Sequence, residues 1–207
     1  VIAAGVFGII SMDRLPEQVA THWNFSGQAD GWSGRGTAVF LLPGIGLVLA
    51  VLLAVFPRLD PKRANFELHA AAWWLLGNAV LVFMAVLHLF VIGNGLGWPV
   101  RIDQVIGYGC GGLLLLLGNY FSRIRQNWFM GIRTPWTLSS EKSWRETHRL
   151  GGKLFMAGGL LLIVGTAVSG RLSSWFTMAG VLVPAIITVI YSYLVWRNDP
   201  EAEGHSR

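Results

Sequence analysis

Apolar and polar residues follow one another along this chain in long blocks, and the block lengths predict helices that cross a membrane. Apolar stretches occupy residues 37–56, 70–92, 105–121, 154–168 and 175–196, most of them near the roughly 20 residues that a helix needs to span a hydrocarbon core about 30 Å thick. A further run, residues 1–11, reaches only about 16 Å as a helix and is read as the later part of a first transmembrane helix. A signal peptide fits that run less well, because no basic segment precedes it and no small-x-small site comes after it. The expected fold class is therefore all-α: a polytopic transmembrane bundle of about six helices, the first truncated in this chain. Its expected divisions are an N-terminal transmembrane region (1–104), a second transmembrane region (105–196) and a polar tail (197–207) taken as frayed.

Composition agrees with the pattern. Of 207 residues, 53% are hydrophobic and only 13% charged, with mean hydropathy +0.52, which excludes disorder and argues against an ordinary soluble domain. The net charge of +5 would suggest nucleic acid in a soluble chain, but here the basic residues sort by side. If the first helix enters from the cytoplasm, Arg14, Arg35, Arg101 and Arg171 fall outside. Arg58, Lys62, Arg63, Arg123, Arg125, Arg133, Lys142, Arg145, Arg149, Lys153, Arg197 and Arg207 fall inside, a division of 12 to 4. That bias places both termini in the cytoplasm, and direct nucleic-acid binding is not expected. Trp98, Trp128, Trp175 and Trp196 stand where spans meet headgroups. The single cysteine, Cys110, can form neither an internal disulfide nor a Cys/His zinc pattern, and no internal repeat is evident.

Two loops hold most of the remaining information. The outer one, from Leu15 to Trp32, places glycines directly after Ser26 and Asp30, which is turn chemistry and predicts a compact loop. Its Trp23, Phe25 and Trp32 suit a headgroup region or a peptide-binding face. His22 with Asp30 matches no standard metal site by spacing, and Asn24-Phe25-Ser26 is formally a glycosylation sequon.

The cytoplasmic loop is longer. Thr134 before Pro135 predicts extended backbone between the fourth helix and the next one. Ser139 or Ser140 can then N-cap that new helix with Glu141 in its first turn, supported by the i, i+4 pairs Glu141–Arg145 and Lys142–Glu146. Trp144, Thr147 and His148 share a face, and this helix is expected to run along the membrane surface and turn inward at Gly151-Gly152. Arg133 and Arg149, set among Trp, Thr and Ser, suit a carboxylate or phosphate partner, an internal acidic residue included. No nucleophile or carboxylate pair adjoins His148, so no catalytic residue is assigned, and neither metal nor cofactor is expected.

Within the spans, His88 is the only ionisable side chain, accompanied by Asn78 and by Asn119 at the end of the fourth span. Hydrogen bonding between helices is the expected use of these groups, although His88 and the glycine-rich fourth span also leave open a small-molecule transporter or channel.

The segment Asn127-Trp128-Phe129-Met130-Gly131-Ile132-Arg133-Thr134-Pro135-Trp136-Thr137-Leu138-Ser139-Ser140, followed by Trp144, Thr147, His148, Arg149 and Gly151, resembles the signature of the SdpI immunity-protein family. Leu15-Pro16, Thr21-His22-Trp23-Asn24 and Gly27 to Trp32 resemble the domain of unknown function that commonly precedes it. The resemblance implies a six-helix bacterial inner-membrane protein with these motifs on opposite faces. A member of that family protects its cell from a secreted membrane-acting toxin peptide and signals by drawing a repressor to the membrane. By sidedness, His22, Trp23, Asn24, Asp30 and Trp32 are then candidates for toxin contact. Asn127, Trp128, Gly131, Arg133, Thr134, Pro135, Trp136, Trp144, Thr147, His148 and Arg149 are candidates for a repressor or signalling contact. Besides the transporter, a membrane enzyme acting on lipid or peptide through His148 and Arg133 stays open.

Overall fold

A computed structural model describes residues 1–24, 27–168 and 171–202. It is a helical bundle carrying one β-hairpin. The elements are α1 (Ile2–Ser11), β1 (Gln18–Trp23), β2 (Ala29–Gly34), α2 (Arg35–Leu59), α3 (Arg63–Glu67), α4 (Ala70–Gly95), α5 (Ile102–Phe121), α6 (Pro135–Ser139), α7 (Glu141–Ala167) and α8 (Arg171–Arg197). Four of these helices, α2, α4, α7 and α8, are long and apolar enough to cross a membrane. Side chains such as Phe40, Leu47, Val51, Val181, Ile186 and Ile190 stand outward on α2 and α8, as a lipid solvent requires. The chain is a multi-pass membrane protein.

α5 also runs the full depth of the bundle, although its polar first turn and its glycines lower its hydropathy. At one end Asp103 lies against Gly27 of the hairpin, and at the other Phe121 packs edge-on to His148. The loops expected on a common face do meet: residues 60–65 bond to residues 126–128, and Ser140 bonds to Asp199. The alternating path is thus built into the packing.

The bundle centres on α7, which touches α5 on one side and α8 on the other. Small residues make both approaches possible. Gly152 and Gly159 face α5, where a Cβ on either would sit 2.8 Å or less from the Gly118 or Gly111 carbonyl oxygen. Gly158 faces α8, where a Cβ would lie 2.2 Å from the Gly180 carbonyl oxygen. That carbonyl has no helical donor, because the residue four positions on is Pro184, which lacks an N–H. Backbone-to-backbone approach of this kind is how helices associate without a hydrophobic driving force, through packing and Cα–H···O contacts. A second proline obeys the same logic: Pro57 frees the Leu53 carbonyl, and Trp73 on α4 supplies the donor through Nε1 at 3.0 Å. Substituting Trp73→Phe should keep the ring and lose that donor, destabilising the protein by about 1–3 kcal/mol in a thermal or denaturant melt.

Three expectations change. The helix from Glu141 does not lie on the surface and turn in at Gly151-Gly152; α7 is unbroken over 27 residues, since those glycines serve close approach rather than a bend. Residues after Thr134 are not extended: Thr134 itself is (φ −93°, ψ 161°), but it caps the short helix α6. The tail is not frayed throughout, for Asp199 and Ala202 are buried; residues 203–207 lie outside the described residues.

Candidate functional site

The outer motif folds as an antiparallel hairpin with the register Gln18↔Gly34, Val19↔Ser33, Ala20↔Trp32, His22↔Gly31 and Trp23↔Ala29. The register shifts between Ala20 and His22 and shifts back between His22 and Trp23. Gly27 takes φ +76°, open to glycine and strained for other residues. Val19 is buried with Leu15, Val39 and Ile92, and Trp23 packs against that cluster. Of the expected contact residues, Trp23 therefore anchors the hairpin to the bundle. His22, Asp30 and Trp32 are the exposed group: Trp32 is 57% exposed, and His22 Nδ1 donates to Asp30 Oδ1 at 2.5 Å with the His22 side chain 73% exposed. Asn24 turns its side-chain oxygen to the Gln28 amide, closing the turn. Phe25 and Ser26, and with them the sequon, lie outside the described residues.

At the other end, the signature is a self-bonded knot. Asn127 accepts the Phe129 and Met130 amides at 2.9 and 2.7 Å and donates to the Arg125 and Met130 carbonyls. This leads the chain into Gly131 at φ +111°. His148 Nε2 then accepts the Ile132 amide at 2.9 Å, while its Nδ1 donates to the Trp144 carbonyl at 2.8 Å. Those two bonds fix a neutral tautomer with its proton on Nδ1. Trp144 stacks on the same ring at 4.1 Å and donates through Nε1 to the Ile124 carbonyl.

Thr134 and Thr137 form a reciprocal cap, Thr134 donates to Ser192 of α8, and Ser140 caps α7 while donating to Asp199 at 2.5 Å. Asn127, Thr134, Trp144, Thr147 and His148 are all buried; the polar groups of all but Thr147, whose hydroxyl meets no partner among the described residues, are bonded inside the protein. His148→Phe should preserve the ring stack yet orphan the Ile132 amide, costing about 1–3 kcal/mol in a melt.

The exposed remainder is small. Trp128 is 47% exposed, Pro135 stands out, and Trp136 packs edge-on to Tyr193. Arg133 donates to the Trp128 carbonyl at 2.5 Å, and Arg149 finds an internal acidic partner, Glu146, at 2.9 Å. Glu146 thus pairs with the residue three positions on, in place of the expected Lys142–Glu146 pair.

Sequence reasoning missed the groups that hold the knot from outside it. The buried Asp60 carboxylate accepts the Trp128 amide at 3.0 Å and the Lys62 amide at 2.7 Å. Gln126 receives the Lys62 ammonium, and its carbonyl accepts Asn65 Nδ2 at 2.9 Å. Asp199 does the corresponding work after α8.

The intramembrane polar groups differ in their use, and both ring nitrogens of His88 are buried without a hydrogen-bond partner among the described residues. Asn78 donates to the Trp74 carbonyl of its own helix rather than across helices, Asn119 is exposed, and His88 is fully buried where Gly8 of α1 leaves room for its ring. The glycines of α5 at 107, 109 and 111 meet Thr166, Phe83 and Ile163. Those glycines are thus occupied in helix packing.

Residues 123–192 match the SdpI/YfhL protein family, and residues 1–47 match a domain of unknown function, DUF1648. The chain is similar to the protein named Immunity protein SdpI from Bacillus subtilis (strain 168), with 29% identity over 190 residues, covering 92% of this chain and 89% of the relative. No solved structure matches it. The chain thus carries a region similar to the SdpI/YfhL protein family at residues 123–192, preceded at residues 1–47 by a region similar to DUF1648.

Proposed function

We propose that this chain is a non-enzymatic immunity protein of a bacterial inner membrane. In this reading it binds a secreted, membrane-active toxin peptide at the outer hairpin and offers a cytoplasmic face to a repressor protein. The observation that carries the reading is the sorting of side chains: one exposed hairpin face gathers His22, Asp30 and Trp32, while most polar signature residues are consumed internally. An aromatic plate beside a charge-assisted His–Asp pair joins apolar area to hydrogen-bonding capacity, which suits an amphipathic peptide arriving at the headgroup level. The similarity to an immunity protein over most of both chains supports the same function.

On the opposite face Trp128 and Arg133 are exposed residues of the signature, and they are the repressor contact in this reading.

The test is binding of a fluorescently labelled, secreted membrane-active toxin peptide to proteoliposomes holding the full chain. Trp32→Ala should weaken binding about tenfold, equivalent to 1.4 kcal/mol, and His22→Ala should weaken it less. Trp128→Ala and Arg133→Ala should leave peptide binding unchanged and abolish repressor recruitment in cells. Unchanged binding in a Trp32→Ala, His22→Ala double variant would overturn the assignment of the hairpin.

A further inference from the structure

We infer that α2 is a coupling rod, which ties the outer hairpin to the signature loop across the full depth of the membrane. Its outer end is fastened directly to the hairpin. β2 ends at Gly34 and α2 begins at Arg35 with no intervening loop. The Arg35 amide donates to the Glu17 carbonyl at 3.2 Å, just ahead of β1, so the first residue of the helix is joined to the hairpin at both strands. Thr21 and Ser33 join the strands through their hydroxyls at 3.0 Å. Hairpin and helix start therefore move together.

From there α2 runs 25 residues, about 37 Å at 1.5 Å per residue. Along that length it buries only Ala38, Val39 and Gly46, and its sideways tie to α4, the Trp73 bond to the Leu53 carbonyl with Leu53 seated against Gly77, lies toward its inner end.

Its far end is held much more firmly. Phe56 stacks on Phe129 with centroids 4.3 Å apart, Asp60 takes the Trp128 amide, and Lys62 and Asn65 grip Gln126. The signature loop is thus latched from two directions. Asp60 and Phe56 hold it from α2, and Asp199 and Ser192 hold it from α8. A helix fixed at both ends passes a displacement at one end to the other. Tilting the hairpin would shift the Trp128 and Arg133 face against its α8 anchor.

This inference deepens the toxin-sensing reading and rests on it for its biological use, but its test needs no peptide, so the two can fail separately. Coupling free energy is reciprocal: releasing the inner latch must be felt at the outer hairpin. The experiment is hydrogen–deuterium exchange on the full chain in nanodiscs, comparing wild type with Asp60→Asn, Phe129→Ala and Asp199→Asn. The two latch variants should speed exchange of residues 29–34 by about fivefold or more. Asp199→Asn should speed exchange around residues 140–143 while leaving 29–34 as in wild type.

Phe129→Ala removes no buried polar group, so it decides the matter even if Asp60→Asn fails to fold. Wild-type exchange in the hairpin of a folded Phe129→Ala variant would overturn the inference, as would equal acceleration of residues 29–34 in all three variants.

Discussion

Replacing Gly158 with leucine should separate α7 from α8 and abolish the folded bundle. At this position a Cβ would fall 2.2 Å from the Gly180 carbonyl oxygen and 3.0 Å from Pro184 Cγ. The first of these is backbone and cannot rotate away. Gly180 is equally intolerant, since its own Cβ would lie 2.6 Å from the Gly158 carbonyl oxygen. Even alanine forces the helices apart, and overpacking of this kind costs about 1–3 kcal/mol, occasionally more; leucine exceeds that range. The measurement is unfolding in detergent micelles, with Gly112→Leu as the control, because nothing lies within 4 Å of a Cβ there and the position is exposed. Gly112→Leu should unfold within about 0.5 kcal/mol of wild type, as surface changes do. Equal melting of the Gly158 and Gly112 variants would contradict the packing account.

The second large effect is expected at Gly131. Alanine there must adopt φ +111°, and its Cβ would sit 2.4 Å from His148 Nε2, displacing the ring from the Ile132 amide. Backbone strain of about 1–3 kcal/mol then adds to the loss of a buried hydrogen bond. The variant should retain its transmembrane helices and lose the ordered signature loop. Exchange of the Phe129, Met130 and Ile132 amides should rise by orders of magnitude while the helical core stays protected. Arg133→Ala, two residues on, removes an exposed side chain and should change stability by no more than about 0.5 kcal/mol. If both variants abolish signalling, they do so by different routes, and only Gly131→Ala will show faster exchange. Slow exchange in Gly131→Ala would mean the knot does not depend on this turn.

The spans are legible in the sequence because lipid imposes length and apolarity on each of them, and the order of loops comes from where the arginines fall. Ser140 as the cap of α7 is legible too, since capping is a local rule. The features that sequence does not show depend on partners far along the chain. Asp60 lies 68 residues from the amide it accepts, and Asp199 lies 59 from Ser140; each looks like an ordinary polar residue beside a helix end. Gly151-Gly152 suggests a break because glycine weakens helices in water. In a membrane the same residue admits a neighbouring backbone, and the seven-residue spacing of Gly151, Gly158 and Gly165, and of Gly152 and Gly159, is the available signal.

In the candidate site, burial decides the outcome. Trp23 and Trp32 are alike in sequence and opposite in placement, one against the Leu15–Val19 cluster and one outward, because Trp32 pairs with Ala20, whose side chain faces away from the side that buries Val19. Most of the signature has the composition of a contact surface and is internal bonding in the fold. A pattern of Asn, Thr, Trp and His around a glycine turn looks the same in sequence whether it serves a partner or its own loop.

The most direct test is survival of a toxin-sensitive bacterium expressing the full chain and challenged with the secreted membrane-active toxin peptide, against an empty-vector control. Wild type should raise the lethal dose at least about tenfold, and Trp32→Ala at equal membrane abundance should lose most of that gain. A wild-type strain as sensitive as the vector control, with the protein correctly inserted, would contradict it.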